Sequence, residues 1–100
     1  MRASAVRLHT EASAEYDAAF DWYLQRSLDA ALRFDAEVDR AFTQIAQAPH
    51  RWPVGPFGTR KFLRQQFPFF WFYRELVTGD IQIVAVAHTS RRPEYWKRRL

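Results

Sequence analysis

The side chains able to do chemistry gather late in this chain. They are Arg60, Lys61, Arg64, Arg74, His88, Arg91, Arg92, Tyr95, Trp96, Arg98 and Arg99. Guanidinium groups stay charged and offer a rigid fork of donors, so they suit a phosphate or a carboxylate. Arg60 and Arg64 stand four apart and would share a face of one strand. They read either as contacts to a partner or as solvated charges that keep an edge strand from pairing. Arg74 falls on the following strand, where it reads as another contact or as an ion pair with a helix acid. His88 can exchange a proton near neutral pH, and Tyr95 is the alternative proton donor. RNA cleavage by the ribose 2′-hydroxyl needs a base, an acid and a cation beside the phosphate. The competing reading of His88 is structural, with its ring bonded to a neighbouring backbone group. His9 and His50 lie in separate segments without ligand spacing, so neither a metal site nor a cofactor is expected. Paired carboxylates, a glycine-rich phosphate loop and a nucleophile elbow are missing.

Charge is divided along the chain. Residues 1–50 carry eight acidic and five basic side chains, whereas residues 51–100 carry three acidic and ten basic ones. The basic half also holds Trp52, Trp71, Trp96, Tyr73 and Tyr95. The sequence therefore predicts that the late cations converge on one surface facing a polyanion or an acidic protein. With 100 residues, a single domain over 1–100 is expected. Nine Phe and four Trp exceed what so small a core needs, so some are expected to face a partner. Cysteine is absent, which excludes disulfides and thiol nucleophiles. No apolar h-region follows Arg2 and Arg7, and no apolar run is long enough to span a membrane. A soluble cytoplasmic protein is expected.

These residues need elements to place them. Residues 3–9 predict a short strand. Ala12, Tyr16, Ala19, Phe20 and Tyr23 recur at helical spacing from Glu11 to Arg26, with Glu11 and Glu15 near the positive end of the dipole. Ser27 is positioned to cap a second helix running to about Ala48. Phe34, Val38, Ala41, Phe42 and Ile45 fall on one face of it, and Arg33 is placed to pair with Glu37. Pro49, Pro53, Pro56, Gly55 and Gly58 make 49–59 a loop or crossing segment. Strands follow at 60–66, 69–77 and 81–87. The last of these is nearly all apolar, as expected when both faces are covered. Thr78-Gly79-Asp80 turns between the last two strands. The expected class is α+β: a short N-terminal strand and a helix hairpin packed on a small, mostly antiparallel sheet, ending in a short helical turn. Tyr95 and Trp96 are expected to anchor that tail to the sheet, leaving Arg98 and Arg99 free.

The chain resembles the RelE/ParE superfamily of type II toxins, closest to its ParE-like, plasmid-stabilisation branch. The resemblance runs through Glu11-Ala12, Tyr16, Trp22-Tyr23, Arg33-Phe34 and Ile45 to Pro49. It continues through Arg60-Lys61-Phe62, Phe67-Pro68-Phe69 to Tyr73-Arg74, and Ile83 to His88. Arg91-Arg92-Pro93-Glu94-Tyr95-Trp96 is its most specific part. It implies a toxin paired with a cognate antitoxin that wraps it. The branches differ in target: ParE-like members inhibit DNA gyrase, and RelE-like members cleave mRNA in the ribosomal A site. The resemblance implies a target-binding set of Arg60, Arg64, Arg74, Arg91, Arg92, Trp96, Arg98 and Arg99. In a nuclease, Arg60, Lys61, Arg64, His88 and Tyr95 would form the catalytic set. Phe67-Pro68-Phe69 stands where the nuclease branch places a cation, which favours gyrase. A non-toxic homologue that still binds antitoxin is the third reading.

Overall fold

The computed structural model describes residues 5–62 and 66–100. A first strand, β1 (Val6–Leu8), leads into helix α1 (Thr10–Leu24) and helix α2 (Leu28–Gln47). Strands β2 (Arg60–Phe62), β3 (Phe69–Glu75) and β4 (Ile81–His88) follow. The chain ends in a short helical turn at Lys97–Arg99. Among the described residues, no helix is long and apolar enough to cross a membrane.

Local chemistry sets the helix boundaries. His9 caps α1, its Nδ1 accepting the Glu11 N–H at 3.0 Å. Ser27 caps α2 as expected, its hydroxyl accepting the Ala30 N–H at 3.2 Å. Ala31, Phe34, Val38, Ala41 and Ile45 form the buried stripe of α2. The Tyr16 hydroxyl donates to Asp35 and ties the two helices together. Arg33 does not pair with Glu37 as the spacing suggested. Its Nε meets Asp29 at 3.0 Å instead, because Glu37 lies three residues after Phe34 and so belongs to the buried stripe. Glu37 is 0 % exposed, and its Oε1 accepts the Gln66 N–H at 2.9 Å.

The sheet order is β1-β4-β3-β2, with β4 central beside β3. β2 and β4 both run antiparallel to β3, while β1 pairs with β4 in parallel, Val6 against Ile81 and Leu8 against Ile83. The expected turn closes the β3–β4 hairpin: Leu76 N–H donates to Asp80 at 2.8 Å, and Gly79 takes the positive φ of 88° that the turn requires. The first strand, predicted over 3–9, is described as Val6–Leu8, and residues 3 and 4 lie outside the described residues. The predicted 60–66 strand is described only as Arg60–Phe62, because Leu63, Arg64 and Gln65 also lie outside them.

A register shift divides β4. Phe72 faces Ala85 while Tyr73 faces Ile83, so Val84 is the extra residue of a bulge. Before it, Ile81 and Ile83 point into the core beneath the helices; after it, Val86 does. Val84, Ala85 and Ala87 form a second core on the opposite face with Trp96. The two alanines leave room for the indole, which lies 4.9 Å from Phe72 between ring centroids. Trp96 is 2 % exposed, so it anchors the tail as expected. Trp96→Ala should lower unfolding stability by about 3 kcal/mol, read by chemical denaturation. A midpoint equal to wild type would contradict this packing.

Candidate functional site

β1 ends at Leu8, yet β4 continues to His88, so the far half of β4 has no strand on that side. Unpaired strand edges are costly when buried and adhesive when open. Here two side chains take the place of a strand. Glu15 of α1 accepts the Val86 N–H on its Oε1 at 3.0 Å. Arg99 of the tail donates to the Val84 carbonyl at 3.0 Å. The two are joined by paired bonds, Nη1 to Oε1 at 2.9 Å and Nη2 to Oε2 at 3.0 Å. The Tyr95 hydroxyl donates to the second carboxylate oxygen. Glu15 is thus the hub of a clasp that holds the C-terminal tail against α1 and β4.

Burial alone would raise the Glu15 pKa, but hydrogen bonds from Arg99, Tyr95 and the Val86 N–H outweigh it and leave the carboxyl below its ordinary value of 4.5. Burial and then the Glu15 hydrogen bond push the Tyr95 phenol up. A hydroxyl so held is a poor proton donor to substrate. The clasp also corrects an expectation about the tail. The Arg99 side chain is 4 % exposed, and Arg98 pairs with Glu11 at 2.9 Å. Neither is free.

The remaining cations divide among different places. Arg91 stacks on the Tyr95 ring at 3.8 Å and approaches Glu15 to 4.0 Å. Arg60 shares the Tyr73 and Phe62 side of the sheet and donates to the Trp52 carbonyl. Lys61 lies on the other face, its Nζ 4.4 Å from the centre of Phe70. Arg74 pairs with Gln82, Nε to Oε1 at 2.9 Å, rather than with a helix acid. Arg92 is exposed, and Arg64 lies outside the described residues. Among the described residues the late cations converge only in part: Lys61, Arg91 and Arg92 line one small pocket with His88 and Tyr95, while Arg60 and Arg74 lie elsewhere. Alternation on β2 and the pull of the α1 acids on the tail separate them.

The predicted nuclease set divides: Lys61, His88 and Tyr95 line one pocket, while Arg60 stands apart from them. Arg60 pairs through Tyr73 with the level of Ile83, whereas His88 lies five residues further along β4. That spacing is roughly 15 Å along the strand. The His88 Nδ1 accepts the Ser90 N–H at 3.0 Å and meets its hydroxyl at 2.7 Å. This is the structural role that the sequence allowed.

Two grooves flank the clasp. One, of about 410 Å³, runs between α1 and the end of β4, with Ala18, Ala19, Trp22 and Val86 on its walls and His88 and Arg91 at its rim. The other, of about 370 Å³, lies on the far face between the 53–59 segment and Glu94–Trp96. Sequence reasoning missed Glu15 as a site residue. The signal was present: Glu15 is three residues after Ala12 and four before Ala19, on the α1 face that packs inward.

With this geometry in place, comparison with known proteins identifies the lineage. The family described as "ParE toxin of type II toxin-antitoxin system, parDE" matches residues 6–93. The fold is similar to that of a solved chain from the "Chromosomal ParDE TA system from P. aeruginosa", with a TM-score of 0.69 at 21 % identity. That match covers 85 % of this chain and 95 % of the other. No curated protein matches the sequence at a significant level. The chain belongs to the ParE toxin family of type II toxin–antitoxin systems.

The clasp makes stability depend on acid. A carboxylate with a depressed pKa stabilises the fold above its ordinary value and loses that contribution as pH falls through the lowered one. Unfolding stability should therefore drop below about pH 4.5, and Glu15→Gln should flatten that part of the profile. Glu15→Ala at neutral pH strands Arg99 and should cost about 3 kcal/mol. Thermal melts across pH check both, and an unchanged acid limb in the Gln variant would count against the clasp.

Proposed function

We propose that this chain is the toxin of a ParDE-type pair, that it inhibits DNA gyrase by protein–protein contact without turnover, and that a cognate antitoxin neutralises it. Family membership supports the toxin role. The observation that favours contact over RNA cleavage is the separation of Arg60 from His88, together with the engagement of Tyr95 by Glu15. Proton transfer at a phosphate needs these groups within hydrogen-bond reach of one atom.

The antitoxin reading draws support from the helix side. Trp22, Leu24, Leu28 and Leu32 are exposed around the α1–α2 turn, and the α1–β4 groove opens beside Trp22. An apolar surface with Arg91 at its rim suits an acidic, partly disordered partner that orders on binding. Of the target-binding residues expected from sequence, Arg92 and Arg98 are exposed and are assigned here to target contact, while Arg91 belongs to the antitoxin groove. Trp96 and Arg99 hold the tail.

Expression of the chain alone should arrest growth, and co-expression of the small acidic protein encoded beside it should restore growth. Arrested cells should accumulate cleaved gyrase–DNA complexes with intact transcripts. Cuts at A-site codons without DNA damage would instead establish the endonuclease reading. Unimpeded growth at confirmed expression would leave a non-toxic homologue.

A further inference from the structure

On the sheet face opposite the helices, a pocket of about 160 Å³ collects charge from two segments distant in sequence. Lys61 comes from β2, in register with Phe72 of β3. Arg91 and Arg92 come from the turn after β4, closed by the Arg91 N–H on the His88 carbonyl at 2.9 Å. Glu94 is the one carboxylate in the lining. Among the described residues, no ion pair joins it to any of the three cations, and Lys61 and Arg92 have no acidic partner elsewhere.

Neutral rings hold two of these cations in place. The Lys61 Nζ lies 4.4 Å from the centre of the Phe70 ring, and the Arg91 guanidinium 3.8 Å from that of Tyr95. Phe70 and Tyr95 line the same pocket. A ring fixes a cation without cancelling its charge. Arg91 also approaches Glu15 to 4.0 Å, but both oxygens of that carboxylate are already bonded to Arg99. Three like charges gathered against one carboxylate repel each other, and an incoming oxyanion relieves the repulsion. Two guanidinium forks and an ammonium supply the donors it needs.

Size and surroundings select the oxyanion. Pockets that enclose a whole small ligand run from about 300 to 1,000 Å³, so this one admits a single charged group carried by a larger body. A nucleic acid fits poorly. Its backbone is bound by cations in a row, one phosphate after another. Here Arg60 donates to the Trp52 carbonyl and Arg74 to Gln82, while Arg98 and Arg99 pair with Glu11 and Glu15. Nucleobases need open rings, yet the Phe72 ring lies against Trp96 and Lys61 covers Phe70. We propose that this pocket is the subsite for a carboxylate of the toxin's protein target, an Asp or Glu side chain held by Lys61 and Arg92 with Arg91 beside them. The proposal rests on the toxin reading and gives that reading its polar anchor. Arg91 lines the α1–β4 groove as well, so Lys61 and Arg92 are the residues that isolate this pocket.

Lys61→Gln and Arg92→Gln test it, both residues being exposed and outside the Glu15 clasp. Both variants should melt at the wild-type temperature and bind the cognate antitoxin as wild type does. Each should weaken binding to purified DNA gyrase, free of DNA, by about 10-fold, and the double variant by about 30-fold or more with loss of growth arrest. Arg92→Lys keeps the charge and loses the fork, so it should fall between wild type and Arg92→Gln. Undiminished gyrase binding by the double variant overturns the proposal. Weakening that appears only when gyrase holds DNA would assign the pocket to a phosphate, and weakened antitoxin binding would assign it to the antitoxin; either overturns it. A wild-type chain that neither arrests growth nor binds gyrase overturns the functional reading itself, and the carboxylate subsite with it.

Discussion

One carboxylate holds the architecture of this toxin together. Glu15 receives donors from Val86, Tyr95 and Arg99, which lie 71, 80 and 84 residues away in sequence. The need for it arises from topology. β1 covers only the first part of β4, and the N–H of Val86 and carbonyl of Val84 would otherwise face a partly dry interface. Desolvating a carboxylate costs several kcal/mol, so the arrangement holds only because the paired guanidinium and two further donors return that energy. Removing any one partner exposes the cost of the others. A single ion pair thereby acts as strand terminator, tail anchor and wall of the α1–β4 groove.

The bulge at Val84 is the second constraint, and the clasp depends on it. Without the extra residue, Ala85 and Ala87 would continue the alternation of Ile81 and Ile83 and face the helices. The shift turns them to the far face, where small side chains admit Trp96. With the indole seated there, Tyr95 reaches Glu15 and Arg99 reaches both Glu15 and Val84. The tail then supplies one bank of the far-face groove, through Pro93, Glu94 and Trp96, and Pro53–Pro56 with Thr59 supply the other. A preformed groove loses little conformational freedom on binding, which suits capture of a folded partner.

Much of this was legible in the sequence, for reasons that differ by element. The stripe from Ala31 to Ile45, the Ser27 cap and the turn at Gly79 are local signals and appear as expected. Glu37 misled because charge suggested a surface pair while its place in the stripe required burial. The parallel pairing of β1 with β4 and the bulge depend on contacts distant in sequence, for which periodicity carries no signal. The dispersal of the cations has the same origin: Arg60 and Lys61 are adjacent in sequence but occupy opposite faces of the sheet. Trp96 and Arg99 were expected at a target surface, but burial gives both a supporting role. Arg64 lies outside the described residues, and its predicted role keeps the standing it had in the sequence.

The charge division between the halves has an internal explanation. Glu11 and Glu15 on α1 meet Arg98, Arg99 and Arg91 of the tail, and Arg7 meets Asp80 in the other direction at 3.3 Å. The acidic and basic halves are in part each other's counterions. Pairing within the fold leaves a weaker outward field than the ten late cations suggest. Long-range attraction would then assist encounter with a partner but select it poorly. Part of the basic composition therefore serves to fasten the chain's own tail to α1 rather than to face outward.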